Sequence, residues 1–417
     1  MIQRIKGMYD VLPPESLLWR RIEDVFSAVS QRYGFHRAST PIVEPTELFA
    51  RSIGEATDIV EKEMYTFQDR NGKSLSLRPE GTASLVRAYV ENQVYGVDPV
   101  AKWIYMGPMY RYEQPQKGRN RQFSQLGAEV FGVAAPEQDA EIMAMAWAFF
   151  CELGLEQDVR LELNTLGDLE ERRRYRELLK AYLTDEKEAL CADCRRRLDT
   201  NPLRVLDCKQ EACSTVAQKA PSLLDHLGEE TRTHFEHVRQ TLEILGVPHH
   251  FNRRIVRGLD YYNRTTFEFK SSLLGAQDAV GGGGRYDALV AQFGGPETPA
   301  VGFAMGMERL CLLLEAKAKP AFSLDFFLIP MGSGTYQAAL KLAADLRQRA
   351  LCGEVDFSGR RLKNLFPRAE RLGARYTLIL GENELASGKV QVKDMLTKSQ
   401  QELALDELCG ILLKSQD

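Results

Sequence analysis

Apolar residues near the start of the chain recur at helical spacing. Leu17, Ile22, Val25, Phe26 and Val29 share one side of a helix predicted over residues 15–33, with Pro13 and Pro14 ahead of it and Gly34 to close it. Pro41-Ile42-Val43-Glu44-Pro45 reads as a short extended stretch, and its bracketing prolines favour a sheet edge. Residues 74–77 predict a strand that runs into Arg78-Pro79-Glu80-Gly81-Thr82 and then a helix. Residues 103–110 and 123–131 are apolar enough for two strands. The very polar run 113–122 between them makes a hairpin with a long charged tip. Ala140, Met143, Ala144 and Trp147 line one face of the helix that follows.

After a strand at 159–163, residues 168–245 are charge-dense and lack the alternation of a strand, so a helical insertion is expected there. Strands resume at 250–256, 265–270 and 278–280. The glycine run Gly281–Gly284 and a helix over 306–314 come next. Composition shifts near residues 316–323, where Lys317, Lys319 and Pro320 suggest a linker. Beyond it, strands at 326–330, 355–357, 376–380 and 390–394 alternate with helices, which predicts a small mixed or parallel α/β domain.

At 417 residues the chain is long enough for two or three cores. With 44% hydrophobic and 27% charged residues it reads as globular, not disordered. The first ten residues lack a secretion pattern and no apolar run approaches a membrane span, so a cytoplasmic chain is expected. A net charge of −4 neither favours nor excludes a nucleic-acid partner, since an acidic body can carry a basic stripe. Four of the eight cysteines, Cys191, Cys194, Cys208 and Cys213, fall in one short stretch spaced C-x2-C, thirteen residues, C-x4-C. They could close a structural zinc site or remain four buried thiols, and these gaps are not those of a familiar zinc ribbon.

The hairpin tip carries the densest candidate chemistry. Arg111, at the end of the first strand, could present a guanidinium fork to a phosphate, with Glu113 two residues on and Phe123 offering a flat surface for a base. A second arginine, Arg309, follows Gly302-Phe303-Ala304-Met305-Gly306-Met307-Glu308, whose small residues allow close backbone approach. Taken alone, Arg309 could equally serve a structural ion pair.

These two stretches resemble motifs 2 and 3 of the class II aminoacyl-tRNA synthetases, and Pro41–Pro45 resembles motif 1. Within that class, Leu77-Arg78-Pro79-Glu80-Gly81-Thr82, Arg257-Gly258-Leu259-Asp260-Tyr261-Tyr262 and Gly282-Gly283-Gly284-Arg285-Tyr286-Asp287 resemble the histidine-specific family, along essentially the whole chain. The resemblance implies an α+β fold: an antiparallel sheet flanked by helices in a catalytic domain over 1–322, a helical insertion at about 168–246, and an anticodon-binding α/β domain over 323–417. It implies ATP with Mg2+, L-histidine and the matching tRNA as partners, and a homodimer. By the same resemblance, Arg111 and Arg257 would hold the α-phosphate and the histidine carboxylate, Arg309 the γ-phosphate, and Arg119 the triphosphate. Glu113 would read the adenine amino group and Phe123 would stack on the ring. Magnesium would bridge the phosphates.

The pocket this implies has its own physical logic. An ammonium offers three donors, and Glu80, Thr82 and Gln125 supply acceptors. Neutral imidazole donates at one nitrogen and accepts at the other; Glu129 could take the N–H and Tyr262, beside Tyr261, could donate to the bare nitrogen. The sequence departs from the family pattern at Gln114, Ser124 and Ala304, none of which removes a phosphate-binding arginine. In the C-terminal domain, a helix with Arg360, Arg361, Lys363, Arg368, Arg371 and Arg375 against the single acid Glu370 is expected to follow a tRNA backbone, with Phe366 near an unstacked base. Two other readings are a regulatory subunit of the first enzyme of histidine biosynthesis, which shares the fold, and a class II ligase for another amino acid. The retained Arg111, Arg257 and Arg309, the Arg257–Tyr262 string and the C-terminal α/β domain weigh against the first, and the resemblance of the pocket strings to the histidine-specific family weighs against the second.

Overall fold

The computed structural model describes residues 2–54, 57, 59–208, 210–256, 259, 261–275, 278–317, 321 and 323–413. The chain divides into two compact units, residues 1–11 with 18–318 and residues 12–17 with 319–417. Among the described residues, no helix is long and apolar enough to cross a membrane.

The first unit contains strands β1 (His36–Arg37), β2 (Val43–Pro45), β3 (Thr66–Gln68), β4 (Ser74–Leu77), β5 (Ala101–Tyr110), β6 (Gln122–Phe131), β7 (Arg160–Thr165), β8 (His249–Phe251), β9 (Asn263–Lys270), β10 (Ala279–Arg285) and β11 (Ala300–Gly306). Eight form one sheet in the order β1-β5-β6-β11-β10-β9-β7-β8. Its pairs are antiparallel except β1 with β5 and β7 with β8. The remaining three make a small antiparallel sheet in which β2, the proline-bracketed segment, is an edge.

Helices α1 (Glu15–Arg32), α2 (Thr46–Ile53), α3 (Thr82–Glu91) and α4 (Pro136–Glu152) precede β7. On one face of the large sheet, Leu18, Ile22, Phe26 and Val29 of α1 join Met143, Phe149 and Phe150 of α4 in a single core. Phe26 meets Phe149 edge-on at 5.4 Å, an arrangement that satisfies the ring quadrupoles. Alternation along β6 sends Leu126, Ala128 and Val130 into that core. Phe123, Gln125, Glu129 and Phe131 therefore fall on the opposite face.

Between β7 and β8 lie α5 (Leu169–Asp185), α6 (Ala192–Thr200), α7 (Glu211–Lys219) and α8 (Glu229–Ile244). α5 starts with a capping box: Glu171 N–H donates to Asp168 Oδ1 and Asp168 N–H to Glu171 Oε2, both at 2.7 Å. This segment has its own small apolar core, including Tyr175, Leu179, Leu183, Leu198 and Val216. Helices α9 (Leu289–Gln292) and α10 (Met307–Lys317) complete the unit.

The glycine run is the main departure from expectation. Gly281–Gly284 lie inside β10, between β9 and β11, rather than after a short strand. Glycine is needed because a Cβ on Gly283 would sit 1.9 Å from Gly302 O, and one on Gly302 1.5 Å from Glu129 Oε2. The strand expected at 250–256 stops at Phe251, where Asn252 N–H turns to donate to Leu163 O.

The second unit has β12 (Leu324–Pro330), β13 (Gly353–Val355), β14 (Ala374–Leu380), β15 (Lys389–Asp394) and β16 (Gln400–Ala404), in the order β13-β12-β14-β15-β16. β12 pairs in parallel with β13 and β14, while β15 is antiparallel to both neighbours, so the sheet is mixed. Its helices are α11 (Tyr336–Gln348), α12 (Leu362–Arg371), α13 (Glu382–Ser387) and α14 (Leu405–Leu413). The basic helix is less basic than its sequence suggests. Arg368 pairs with Glu354 and Asp356, and Arg375 lies on β14, paired with Asp394 at 2.8 Å. Lys393 Nζ sits 4.1 Å from the Phe366 ring centroid, covering a face expected to be open to a base.

Candidate active site

The polar tip of the β5–β6 hairpin and the glycine strands β10 and β11 enclose a cavity of about 270 Å3 in the first unit. That is near the low end of ligand-sized cavities, about 300–1,000 Å3. Each wall follows from local chain chemistry.

One wall is the segment between β4 and α3. The Arg78 guanidinium is not a ligand group: it donates to Pro108 O at 3.0 Å and to Thr40 O at 3.1 Å, fastening this turn to β5. Glu80 then turns inward. Its oxygens accept from Thr82 N–H at 2.7 Å and Ala83 N–H at 2.8 Å, so a carboxylate caps the first turn of α3. Burial pushes the Glu80 carboxyl above its ordinary range, against the pull of those two hydrogen bonds.

Arg111 lies one residue past the end of β5, so Arg111 and Glu113 do not share a strand face. Arg111 Nε donates to Pro79 O at 2.9 Å, and its guanidinium lies 5.3 Å from the Phe123 ring centroid. Glu113 Oε2 accepts from Arg119 at 3.1 Å, and its Oε1 lies 4.0 Å from Arg111 Nη1. The carboxylate expected to read a base is therefore engaged by two arginines here. Arg309, at the start of α10, lines the same cavity and donates to Ala279 O on β10. Burial, then the neighbouring Arg119 cation, push the Arg309 guanidinium below its ordinary value. Two cations in a partly closed cavity repel, and an anion between them relieves that cost.

At the other end stand Gln125, Tyr261 and Tyr262, the two phenol rings 4.6 Å apart. Gln125 Oε1 is buried with no hydrogen-bond donor among the described residues. A buried orphan acceptor costs about 1–3 kcal/mol, which a bound donor would return.

Glu129 does not line the cavity, unlike the other expected pocket residues that are described. It lies behind the wall at 1% exposure. Its oxygens accept from Thr82 Oγ1 at 2.6 Å and from Tyr286 OH at 2.5 Å. Burial pushes its carboxyl up to about 8, with both hydroxyl donors pulling the other way. Direct contact with a ligand is thus replaced by contact through Thr82. Tyr286, to which the sequence reading gave no role, is the residue missed. The available signal is its place at the end of the glycine string, Gly282-Gly283-Gly284-Arg285-Tyr286-Asp287. Arg257 falls outside the described residues.

The second cavity, about 860 Å3, shares Arg111, Glu113 and Arg119 with the first. Its far side is the insertion, including Cys191, Arg196, Arg197, Arg204 and Cys208.

The chain is similar to known proteins along nearly its whole length. The family model described as histidyl-tRNA synthetase matches residues 7–310, and that described as anticodon binding domain matches 325–415. The chain is 48% identical over 409 residues to a histidine–tRNA ligase of Geobacter metallireducens, covering 97% of this chain and 98% of that one. It is 49% identical to that of Syntrophotalea carbinolica, covering 99% and 98%. An apo histidyl-tRNA synthetase from S. aureus superposes with a TM-score of 0.79 at 35% identity, covering 99% of this chain and 100% of the other. A Bacillus halodurans protein described as an ATP phosphoribosyltransferase regulatory subunit/histidyl-tRNA synthetase shares the fold, with a TM-score of 0.68 at 21% identity, covering 91% and 98%.

Proposed function

The chain belongs to the histidyl-tRNA synthetase family, and from that premise we propose how its cavity works. The activity is that of the family: an ATP-dependent ligase charges tRNA with histidine through an aminoacyl-adenylate, releasing AMP and diphosphate. The proposal concerns which groups do what.

Arg111, Arg119 and Arg309 converging on one cavity is the observation that carries the reading. The histidine carboxylate attacks the α-phosphorus in line, and positioned positive charge stabilises the developing negative charge. Arg111 sits where it can hold both the α-phosphate and the carboxylate, fixed by its bond to Pro79 O. Arg119 and Arg309 take the outer phosphates, and Phe123 stacks on adenine. Glu113 exchanges its arginine contacts for the adenine amino group when ATP enters. Mg2+ bound with the triphosphate would neutralise part of its charge, and the Glu308 carboxylate, which lines the cavity, would offer it a hard oxygen donor. Arg257 is assigned to the α-phosphate and carboxylate on the resemblance alone.

The ammonium of histidine is received by Glu80, Thr82 and Gln125. Glu129 accepts the hydrogen bond that the Thr82 hydroxyl donates, so Thr82 presents lone pairs to the ligand. Tyr262, beside Tyr261, addresses the imidazole, and the Glu129–Tyr286 pair stiffens that end. A phenol that donates to the bare ring nitrogen disfavours an analogue that offers no acceptor there. The tRNA acceptor end enters through the larger cavity, whose arginines suit a phosphate backbone. Two copies of the chain pair in the cytoplasm. Exposed Ile42 and Val43 beside edge strand β2, with Phe67 on β3, support the pairing.

ATP–pyrophosphate exchange tests the reading. Folded protein should exchange with histidine and with no other amino acid, and Arg257→Ala should abolish exchange without loss of fold. Near-normal exchange in that variant would remove Arg257 from the mechanism.

A further inference from the structure

Four sulfurs meet in the insertion, away from the groups assigned to adenylation. Cys191 caps the N-terminus of α6, Cys194 lies in its first turn, Cys208 follows a short 3-10 turn, and Cys213 lies on α7. Their Sγ atoms all lie within 4.8 Å of one another, with Cys191 and Cys208 at 4.0 Å. A tetrahedral site with Zn–S bonds of about 2.3 Å has sulfur–sulfur edges of about 3.8 Å. The constellation is thus close to the size one ion needs. It is too open for a disulfide, whose sulfurs stand about 2.05 Å apart.

We propose that Cys191, Cys194, Cys208 and Cys213 bind a single zinc ion as a closed tetrathiolate site that pins the insertion.

Buried thiols alone do not account for the arrangement. A free cysteine behaves as a small apolar side chain and gains nothing from the company of three others. Here four such residues, drawn from three separate segments, point at one spot. Three are buried and Cys191 is half-buried, so the polyhedron is filled by protein sulfur and leaves no position for substrate, which makes the site structural. Cys191 N–H donates to Cys213 Sγ at 3.2 Å, a bond that favours anionic sulfur. Zinc with four thiolates carries two net negative charges. Arg196, Arg197 and Arg204, against Asp193 and Asp207, line the cavity that Cys191 and Cys208 also face, and their net positive charge offsets part of that negative charge.

The insertion also needs such a tie. Its core is small, with three of the four cysteines among its members, and small cores gain more from a metal than large ones do. The ion would hold the start of α6, the turn at Cys208 and α7 together, which is the wall facing Arg111 and Arg119.

The test uses the full-length chain, purified without metal-affinity resin. Elemental analysis should find zinc at a ratio near one per chain. Exchange into cobalt should give the intense visible bands of a tetrahedral thiolate site. Cys194→Ser and Cys213→Ser should each lose the metal, while Cys151→Ser and Cys311→Ser, outside the cluster, should keep it. Because the cluster variants can fail to fold, native thiol titration of the unmodified chain gives a second reading: these four thiols should react only as zinc is released, detected with a chromogenic chelator. Folded protein with no metal, freely titrating thiols and no cobalt bands would overturn the proposal. So would iron in place of zinc, or disulfides among the four.

Discussion

Gln125 illustrates how much one atom decides. Its Oε1 is buried without a donor among the described residues, a cost the fold bears until a ligand donates to it. Gln125→Leu should therefore leave the thermal midpoint unchanged or raise it, while lowering histidine-dependent exchange about 10–100-fold, the worth of a charge-assisted hydrogen bond. A parallel loss of stability would show that Oε1 had been serving the fold. Glu129 makes the opposite kind of prediction. Its carboxyl is raised to about 8, so between its ordinary value of about 4.5 and 8 the folded chain keeps a proton that the unfolded chain has released. Stability should fall as pH rises through that window and level off above it. In Glu129→Gln that contribution should vanish, which urea midpoints at several pH values would show. Asp139 is tied to the fold alone. Its carboxylate accepts from Arg285 Nε at 3.0 Å and from His234 Nε2 at 2.9 Å, linking β10 to α4 and α8. Burial would raise its pKa, but His234 and Arg285 hold it below the usual carboxylate range. Asp139→Ala leaves a guanidinium at 1% exposure with Asp287 as its remaining carboxylate partner and should cost about 3 kcal/mol by denaturant unfolding.

Elements show where sequence reading succeeds. The β5–β6 hairpin was legible because two apolar runs flank a polar tip, and α1 because its buried residues keep helical spacing. The β10 strand was not, since glycine has no side chain to alternate and reads locally as a loop. What makes it a strand is the proximity of β9 and β11, a tertiary fact that no local pattern carries. For the same reason Glu129 was assigned to the pocket: β6 alternation gives its face but not its depth, and Thr82 stands in front of it. The charges of α12 misled because Asp356 and Glu354, which neutralise Arg368, lie outside the helix. Gly283→Ala should sharply lower soluble yield and thermal midpoint, because its Cβ would meet backbone at 1.9 Å and backbone cannot swing aside as a side chain can.

For the whole molecule, the two cavities share Arg111, Glu113 and Arg119, so the proposed assignment has activation and transfer meet at the same guanidiniums. If zinc shapes the insertion wall of the larger cavity, stripping it should slow charging of tRNA more than pyrophosphate exchange. Equal loss in both assays would mean that the wall also supports the smaller cavity. The second unit, with its own sheet and apolar core, should have little effect on exchange. Removing residues 323–417 is expected to preserve exchange while depressing tRNA charging.

One consequence of the glycine strands concerns change over time. Gly281, Gly282 and Gly306 border the smaller cavity, and Ala304 contributes only a methyl. At these three glycines nothing remains to be trimmed, so every replacement there adds atoms and shrinks the room. Selection or design seeking a bulkier amino acid must find its space at residues that carry side chains, such as Tyr261, Tyr262 or Gln125. At the glycines the pocket is already at its widest, and mutation can move in one direction only.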